Sequence, residues 1–167
     1  MESPKKARIA FLVTVAAGII LLDQITKAVV QSRFFPGESI TVIPGFFNLT
    51  FIRNPGAAFG FLASGNPSIV TPLFVIISVI VAACIVYYYL KSDPGLQLHR
   101  WGLPLILGGA IGNLIDRVRF RSVVDFLDFY VGNYHWPAFN AADSAITIGV
   151  GLILLEMLLA NKPGKAS

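Results

Sequence analysis

Apolar residues fall in four long runs, separated by stretches that are short, polar or rich in strand formers. The clearest run, Ser68 to Leu90, carries no charge and ends in Tyr87-Tyr88-Tyr89, aromatics suited to a membrane interface. A bilayer core about 30 Å thick takes roughly 20 mostly apolar residues as helix, so this run predicts a spanning helix. Ile9 to Val30 predicts a second, with Asp23 and Lys27 near its end. Trp101 to Ile115 is charge-free but short, and reaches span length when the helix continues through Asp116 and Arg117. Ala138 to Ala160 is the fourth, with Asp143 near its start and Glu156 near its end. The spans lie at about 9–30, 68–90, 99–118 and 138–160, with external segments at about 31–67 and 119–137, in a single integral-membrane domain over 1–167. Lys5-Lys6-Arg8 ahead of the first run resembles a secretory signal. The helical pattern continues through Asp23 to Lys27 without a small-residue cleavage site, so a retained helix is expected.

The first connector has a different character. Ser39 to Ile43 and Phe46 to Ile52 are β-rich runs joined at Pro44-Gly45, and Asn54-Pro55-Gly56 signals a turn. They predict a small sheet at the membrane surface, with Phe34, Phe35, Phe46, Phe47 and Phe59 as apolar anchors. The third connector is rich in aromatics, from Phe126 to Trp136.

Composition agrees with a membrane protein. Of 167 residues, 55% are hydrophobic and only 13% charged, against about 25% charged in soluble domains. A single cysteine, Cys84, excludes a disulfide scaffold. The net charge of +4 raises the question of nucleic acid. Lys5, Lys6, Arg8, Lys91, Arg100, Lys162 and Lys165 flank apolar runs, where they anchor helices to headgroups, so no nucleic-acid partner is expected.

Four alternating spans bring the end of the first, the end of the third and the start of the fourth to one membrane face. Asp23 and Lys27, Asn113, Asp116 and Arg117, and Asn140 and Asp143 meet there, joined from the connectors by Arg53, Asn54, Asp125 and Asp128. Ionisable groups in a bilayer are costly unless paired or exposed to a wet cavity, so their convergence predicts a site. The basic N-terminal flank orients both termini to the cytoplasm and the site outward.

Metal ligation is disfavoured, because His99 belongs to the opposite face, Cys84 lies mid-span and His135 stands alone. No nucleophile-elbow pattern surrounds Ser122 or Ser144, and Lys27 one turn after Asp23 reads as an ion pair before it reads as half of a Ser–Lys dyad. Two carboxylates sharing a proton remain: one draws a proton from water, and its protonated partner stabilises the oxyanion formed on a peptide carbonyl. Asp143 is one member; Asp116, Asp125 and Asp128 are alternatives for the other. The rival reading is a small proton-coupled carrier, disfavoured because the polar residues gather at one end and the second span is apolar throughout.

The motifs Asn54-Pro55-Gly56-Ala57-Ala58-Phe59-Gly60, Gly109-Ala110-Ile111-Gly112-Asn113-Leu114-Ile115-Asp116-Arg117, Val123-Val124-Asp125-Phe126 and Phe139-Asn140-Ala141-Ala142-Asp143-Ser144 occur in order. With Asp23-Gln24 and Lys27 in the first span, they resemble the lipoprotein signal peptidases (signal peptidase II). The resemblance implies an all-α membrane protein with four transmembrane helices, a small extracytoplasmic β-sheet (cradle) and a short interfacial helix, the last two corresponding to the surface sheet and the aromatic connector. It implies an aspartyl endopeptidase of the bacterial plasma membrane that cleaves prolipoproteins on the N-terminal side of a diacylglyceryl-modified cysteine. Asp125 and Asp143 match the catalytic pair and Asp116 a supporting position. Asn54, Gly56, Asn113, Arg117 and Asn140 match positions that shape the site or hold the substrate backbone. No metal or organic cofactor is implied. The partners are lipidated substrate and membrane lipid, and nothing in the helices demands a second copy, so a monomer is expected.

Several polar residues also have purely structural readings. Asp23 with Lys27, and Asp116 with Arg117, read as ion pairs; Asp128 as a solvated loop acid; Glu156 as a side chain snorkelling to the interface. Gly108, Gly109 and Gly112 read as small residues that let helices approach closely.

Overall fold

The computed structural model describes residues 4–56, 66–93 and 95–160. Ala57 to Gly60 of the first motif, with the expected anchor Phe59, lie outside the described residues, as do Lys162 and Lys165. Four helices and four strands follow in the order α1 (Pro4–Arg33), β1 (Ser39–Ile43), β2 (Phe47–Asn54), α2 (Pro67–Lys91), α3 (Gln97–Phe120), β3 (Val123–Val131), β4 (Tyr134–His135) and α4 (Ala141–Ala160).

Helices α1, α2 and α4 are long and apolar enough to cross a membrane. Their burial pattern is inverted relative to a soluble bundle. Leu21, Ile25, Ile76, Ile80, Leu154 and Leu158 are exposed, while Asp23, Lys27, Asn113 and Asp116 are buried. Such a surface suits hydrocarbon, where the outside costs nothing when apolar and polar groups must find partners within. Helix α3 carries Asn113, Asp116, Arg117 and Arg119 and packs against all three other helices. Close approach along it depends on glycine. A Cβ on Gly109 would lie 2.4 Å from the Ala142 carbonyl oxygen, and one on Gly149 2.6 Å from that of Gly102, so α3 and α4 meet backbone to backbone.

The strands form one antiparallel sheet in the order β1-β2-β3-β4. β1 and β2 make a hairpin whose turn holds Gly45 at φ +77°, a left-handed conformation that glycine adopts without strain. Phe51, Val124 and Phe126 pack with Val30 of α1, so the sheet sits on the C-terminal end of that helix. The aromatic connector differs from expectation. It forms β3 and β4 instead of an interfacial helix, and among the described residues no short helix accompanies the four long ones. Its β-branched and aromatic residues favour a strand, and β2 offers an open edge for it.

Candidate active site

Helix α3 ends at Arg121, a non-glycine residue at φ 58°, whose N–H bonds the Arg117 carbonyl at 2.9 Å. This left-handed cap turns the chain directly into β3. The pairing of β3 with β2 sets Ile52 opposite Asp125 and Asn54 opposite Val123. Asp125 Oδ2 then accepts from Asn54 Nδ2 at 3.1 Å, and Oδ1 from Asn140 Nδ2 at 2.8 Å.

Asn140 precedes α4 and Asp143 lies in its first turn. Asp143 N–H donates to Asn140 Oδ1 at 3.0 Å, and Asn140 N–H donates back to Asp143 Oδ2 at 3.2 Å. This reciprocal capping box satisfies two backbone donors and orients Asp143. The other oxygen, Oδ1, accepts from Asn113 Nδ2 at 2.8 Å. Asn140 thus bonds both Asp125 and Asp143 and joins β3 to α4. Among the described residues no lysine or arginine bonds either carboxylate. Burial, reinforced by the neighbouring Asp143, pushes the Asp125 carboxyl up to about 7 against the opposing hydrogen bonds of Asn54 and Asn140.

Behind this pair lies an ionic cluster centred on Lys27. Its ammonium contacts Asp23 Oδ2 at 2.8 Å and Asp116 Oδ2 at 2.9 Å, and donates to Asn113 Oδ1 at 2.9 Å. Each aspartate also holds a backbone donor. Asp23 accepts the Ala142 N–H at the start of α4, at 3.0 Å, and Asp116 accepts the Val124 N–H of β3, at 3.1 Å. Lys27 therefore ties together the two elements that carry Asp125 and Asp143. Gly112 leaves room for this: a Cβ there would lie 2.7 Å from Asp23 Oδ2. Gln24 was not among the expected site residues, yet it bridges Asp23 at 3.1 Å, Asp116 at 3.0 Å and the Gly112 carbonyl at 3.2 Å. Its signal was a polar side chain beside Asp23 in an apolar run.

Gly56 N–H donates to Asn54 Oδ1 at 3.0 Å, and Arg117 Nη2 reaches the Gly56 carbonyl at 3.2 Å. All ten expected residues, Asp23, Lys27, Asn54, Gly56, Asn113, Asp116, Arg117, Asp125, Asn140 and Asp143, thus share one network. A cavity of about 550 Å³ opens beside it, bordered by Asn54, Asn113, Arg117, Asp125 and Asp143 on its polar side and by Trp136, Phe139, Ile146 and Ile148 on its apolar side. Among the described residues no three His, Cys, Asp or Glu gather to hold a metal ion.

Four structural readings need correction. Asp116 pairs with Lys27 instead of its neighbour Arg117, whose Nη1 donates to the Asn113 carbonyl at 3.3 Å. Asp128 is a strand residue bonded by Asn48 Nδ2 at 2.9 Å and by His135 Nδ1 at 2.9 Å, so it is no free loop acid and His135 does not stand alone. Glu156 turns inward and accepts the Leu98 and His99 N–H groups at 3.2 and 2.7 Å while contacting His99 Nδ1, capping α3 instead of snorkelling.

Residues 15–159 match the family model of signal peptidase (SPase) II. The chain belongs to the signal peptidase II family. It is 51% identical to a lipoprotein signal peptidase of Syntrophus aciditrophicus, over 95% of this chain and 98% of that one. It is 49% identical to a lipoprotein signal peptidase of Desulforapulum autotrophicum, over 91% and 94% of the two chains. A solved bacterial membrane enzyme structure, obtained by the in meso method, superposes with a TM-score of 0.81 at 37% identity, covering 95% of each chain. This signal peptidase II family member is thus a membrane protein of a peptidase family.

Proposed function

We propose that the chain removes signal peptides from prolipoproteins, cleaving before a diacylglyceryl-modified cysteine with Asp125 and Asp143 as its catalytic pair. The observation that carries this reading is the shared Asn140: it holds two carboxylates at the edge of one cavity, and among the described residues neither bonds a lysine or arginine. The pair carries one proton between its members. One carboxylate takes a proton from water as the oxygen bonds the scissile carbonyl carbon, and the protonated partner donates to the carbonyl oxygen. As the tetrahedral adduct collapses, one of its hydroxyls returns a proton to the pair, the C–N bond breaks, the amine leaves with a proton from the pair, and a single shared proton remains. Asp125, pushed up to about 7, suits the protonated role at and below neutral pH.

The cavity wall suits a lipidated peptide. Ile148 borders the cavity and is itself 58% exposed on a lipid-facing helix, so substrate enters sideways with its acyl chains in the bilayer. In this reading α3 is a fourth span, both termini lie in the cytoplasm, and the sheet forms a cradle at the outer surface of the bacterial inner membrane. The enzyme is one monomeric domain. The apolar layer of Leu12, Ala16, Ile85, Leu103 and Leu107 supports a peptidase over a proton-coupled carrier, since it leaves the aspartates no polar path along the bundle.

The test is cleavage of one precursor peptide with and without the diacylglyceryl group, with product masses read by mass spectrometry. The lipidated peptide is expected to be cut before its cysteine and the plain peptide left intact. Equal cleavage of both, or a cut elsewhere, overturns the assignment.

A further inference from the structure

The opposite end of the bundle holds a second cavity, of about 230 Å³, enclosed by the start of α1, the end of α2 and the start of α3. Arg8, Tyr89, Ser92, Asp93 and Arg100 line it. Arg8 is fixed in place. Its Nη2 donates to the Tyr89 and Ser92 carbonyls at 2.6 and 3.0 Å and to the Ser92 hydroxyl at 3.3 Å, and its guanidinium lies 5.4 Å from the Tyr89 ring centroid. The Tyr89 hydroxyl donates back to the Arg8 carbonyl at 3.2 Å. Among the described residues these bonds use Nη2 alone, which leaves Nη1 and Nε to bind something else. Arg100 rests 4.6 Å over the Phe11 ring, and among the described residues its guanidinium has no hydrogen bond or ion pair. Among the described residues the one acid on the wall is Asp93, whose Oδ1 accepts from the Gly95 N–H at 2.8 Å.

The surroundings set the depth of this cavity. Tyr87, Tyr88 and Trp101 are exposed at the same end, as aromatics are at headgroup level, and Lys5, Lys6 and Lys91 add positive charge. A hollow with two guanidiniums, between helices at headgroup depth, matches a phosphate group: the planar forks donate in pairs to its oxygens. We infer that this cavity binds a phosphate group, carried by an anionic phospholipid headgroup or free in solution. It is remote from Asp125 and Asp143 and takes no part in the chemistry.

The experiment uses the full chain in nanodiscs of phosphatidylcholine, to which either phosphatidylglycerol or inorganic phosphate is added, with the thermal unfolding midpoint as readout. Phosphatidylglycerol is expected to raise the midpoint, and Arg100→Gln to require roughly fivefold more of it for the same rise. Lys5→Gln removes the same charge from an exposed position outside the cavity and is expected to titrate as wild type. A rise with inorganic phosphate that Arg100→Gln weakens keeps the site and makes free phosphate its ligand; a rise with the lipid alone makes it a headgroup site. Equal titration of Arg100→Gln and wild type overturns the inference. Equal weakening by Lys5→Gln and Arg100→Gln also overturns it, because diffuse charge would then explain the binding.

Discussion

Four aspartates lie in one hydrogen-bonded network, and their partners divide them into two pairs. Asp23 and Asp116, 0% and 1% exposed, both close on the Lys27 ammonium. Asp125 and Asp143 are held by asparagine amides and a backbone N–H, and border a cavity. The contrast shows how one side chain serves two ends. A carboxylate that closes on a buried cation and a backbone N–H works as a fastener. A carboxylate held by neutral donors at the edge of a cavity is free to trade protons with water. The first pair also positions the second, since Asp116 grips Val124 of β3 and Asp23 grips Ala142 of α4.

The largest effect follows from the proposed catalytic pair. Asp125→Asn and Asp143→Asn are each expected to lower cleavage of a lipidated precursor by roughly 10³-fold or more, with the folded state retained, because the amide cannot exchange the proton. Asp116→Asn is expected to lose rate less steeply and to lose stability as well. If Asp116→Asn instead abolished cleavage at unchanged stability, the division into two pairs would fail.

Next comes Lys27. Lys27→Met leaves Asp23 and Asp116 buried without their cation, and such a broken pair typically costs about 3–5 kcal/mol. Thermal unfolding in mixed micelles is expected to show that loss, with partial recovery when Asp23→Asn and Asp116→Asn are added. Unfolding of Lys27→Met at the wild-type midpoint would show that the ammonium is not the fastener.

The pH dependence separates the pairs by a smaller margin. Folded Asp125 holds its proton up to about 7, whereas an unfolded aspartate releases it near about 3.9. Its contribution to stability is therefore full below about 4 and is lost as pH rises through 7, on the order of 4 kcal/mol. Unfolding between pH 5 and pH 8 is expected to show this decline in wild type and not in Asp125→Asn. Cleavage is expected to fall over the same upper range as Asp125 gives up its proton. A cleavage rate that does not change across it would count against a shared proton.

Much of this arrangement was legible from hydropathy and alternation. Charges near the ends of α1, α3 and α4 have to converge if the helices alternate, and the ten expected residues do share one network. The connector after α3 was harder to read. Val123 to Val131 is a strand because β2, far away in sequence, offers it an edge, and no local turn signal announces such a pairing. The partner of Asp116 was hidden for a similar reason. Arg117 is its neighbour in sequence, but successive residues on a helix point in different directions, and Lys27 arrives from another helix. Gln24 was read only as part of a motif, since an amide's role depends on what surrounds it.

Glu156 gives the smallest effect and the sharpest control. Like Asp23 and Asp116 it is an acid that organises backbone, here the first turn of α3, where Leu96 supplies no side-chain cap. Unlike them, among the described residues it bonds neither β3 nor the start of α4. Glu156→Gln keeps an acceptor oxygen but loses the charge that favours a helix N-terminus and the contact with His99, so a loss of about 1 kcal/mol is expected. Cleavage below the unfolding temperature is expected to stay at the wild-type rate. A drop in rate comparable to that of Asp116→Asn would mean that α3 transmits strain along its whole length, and that distance from the cavity, which separates Glu156 from the positioning acids, has no functional meaning.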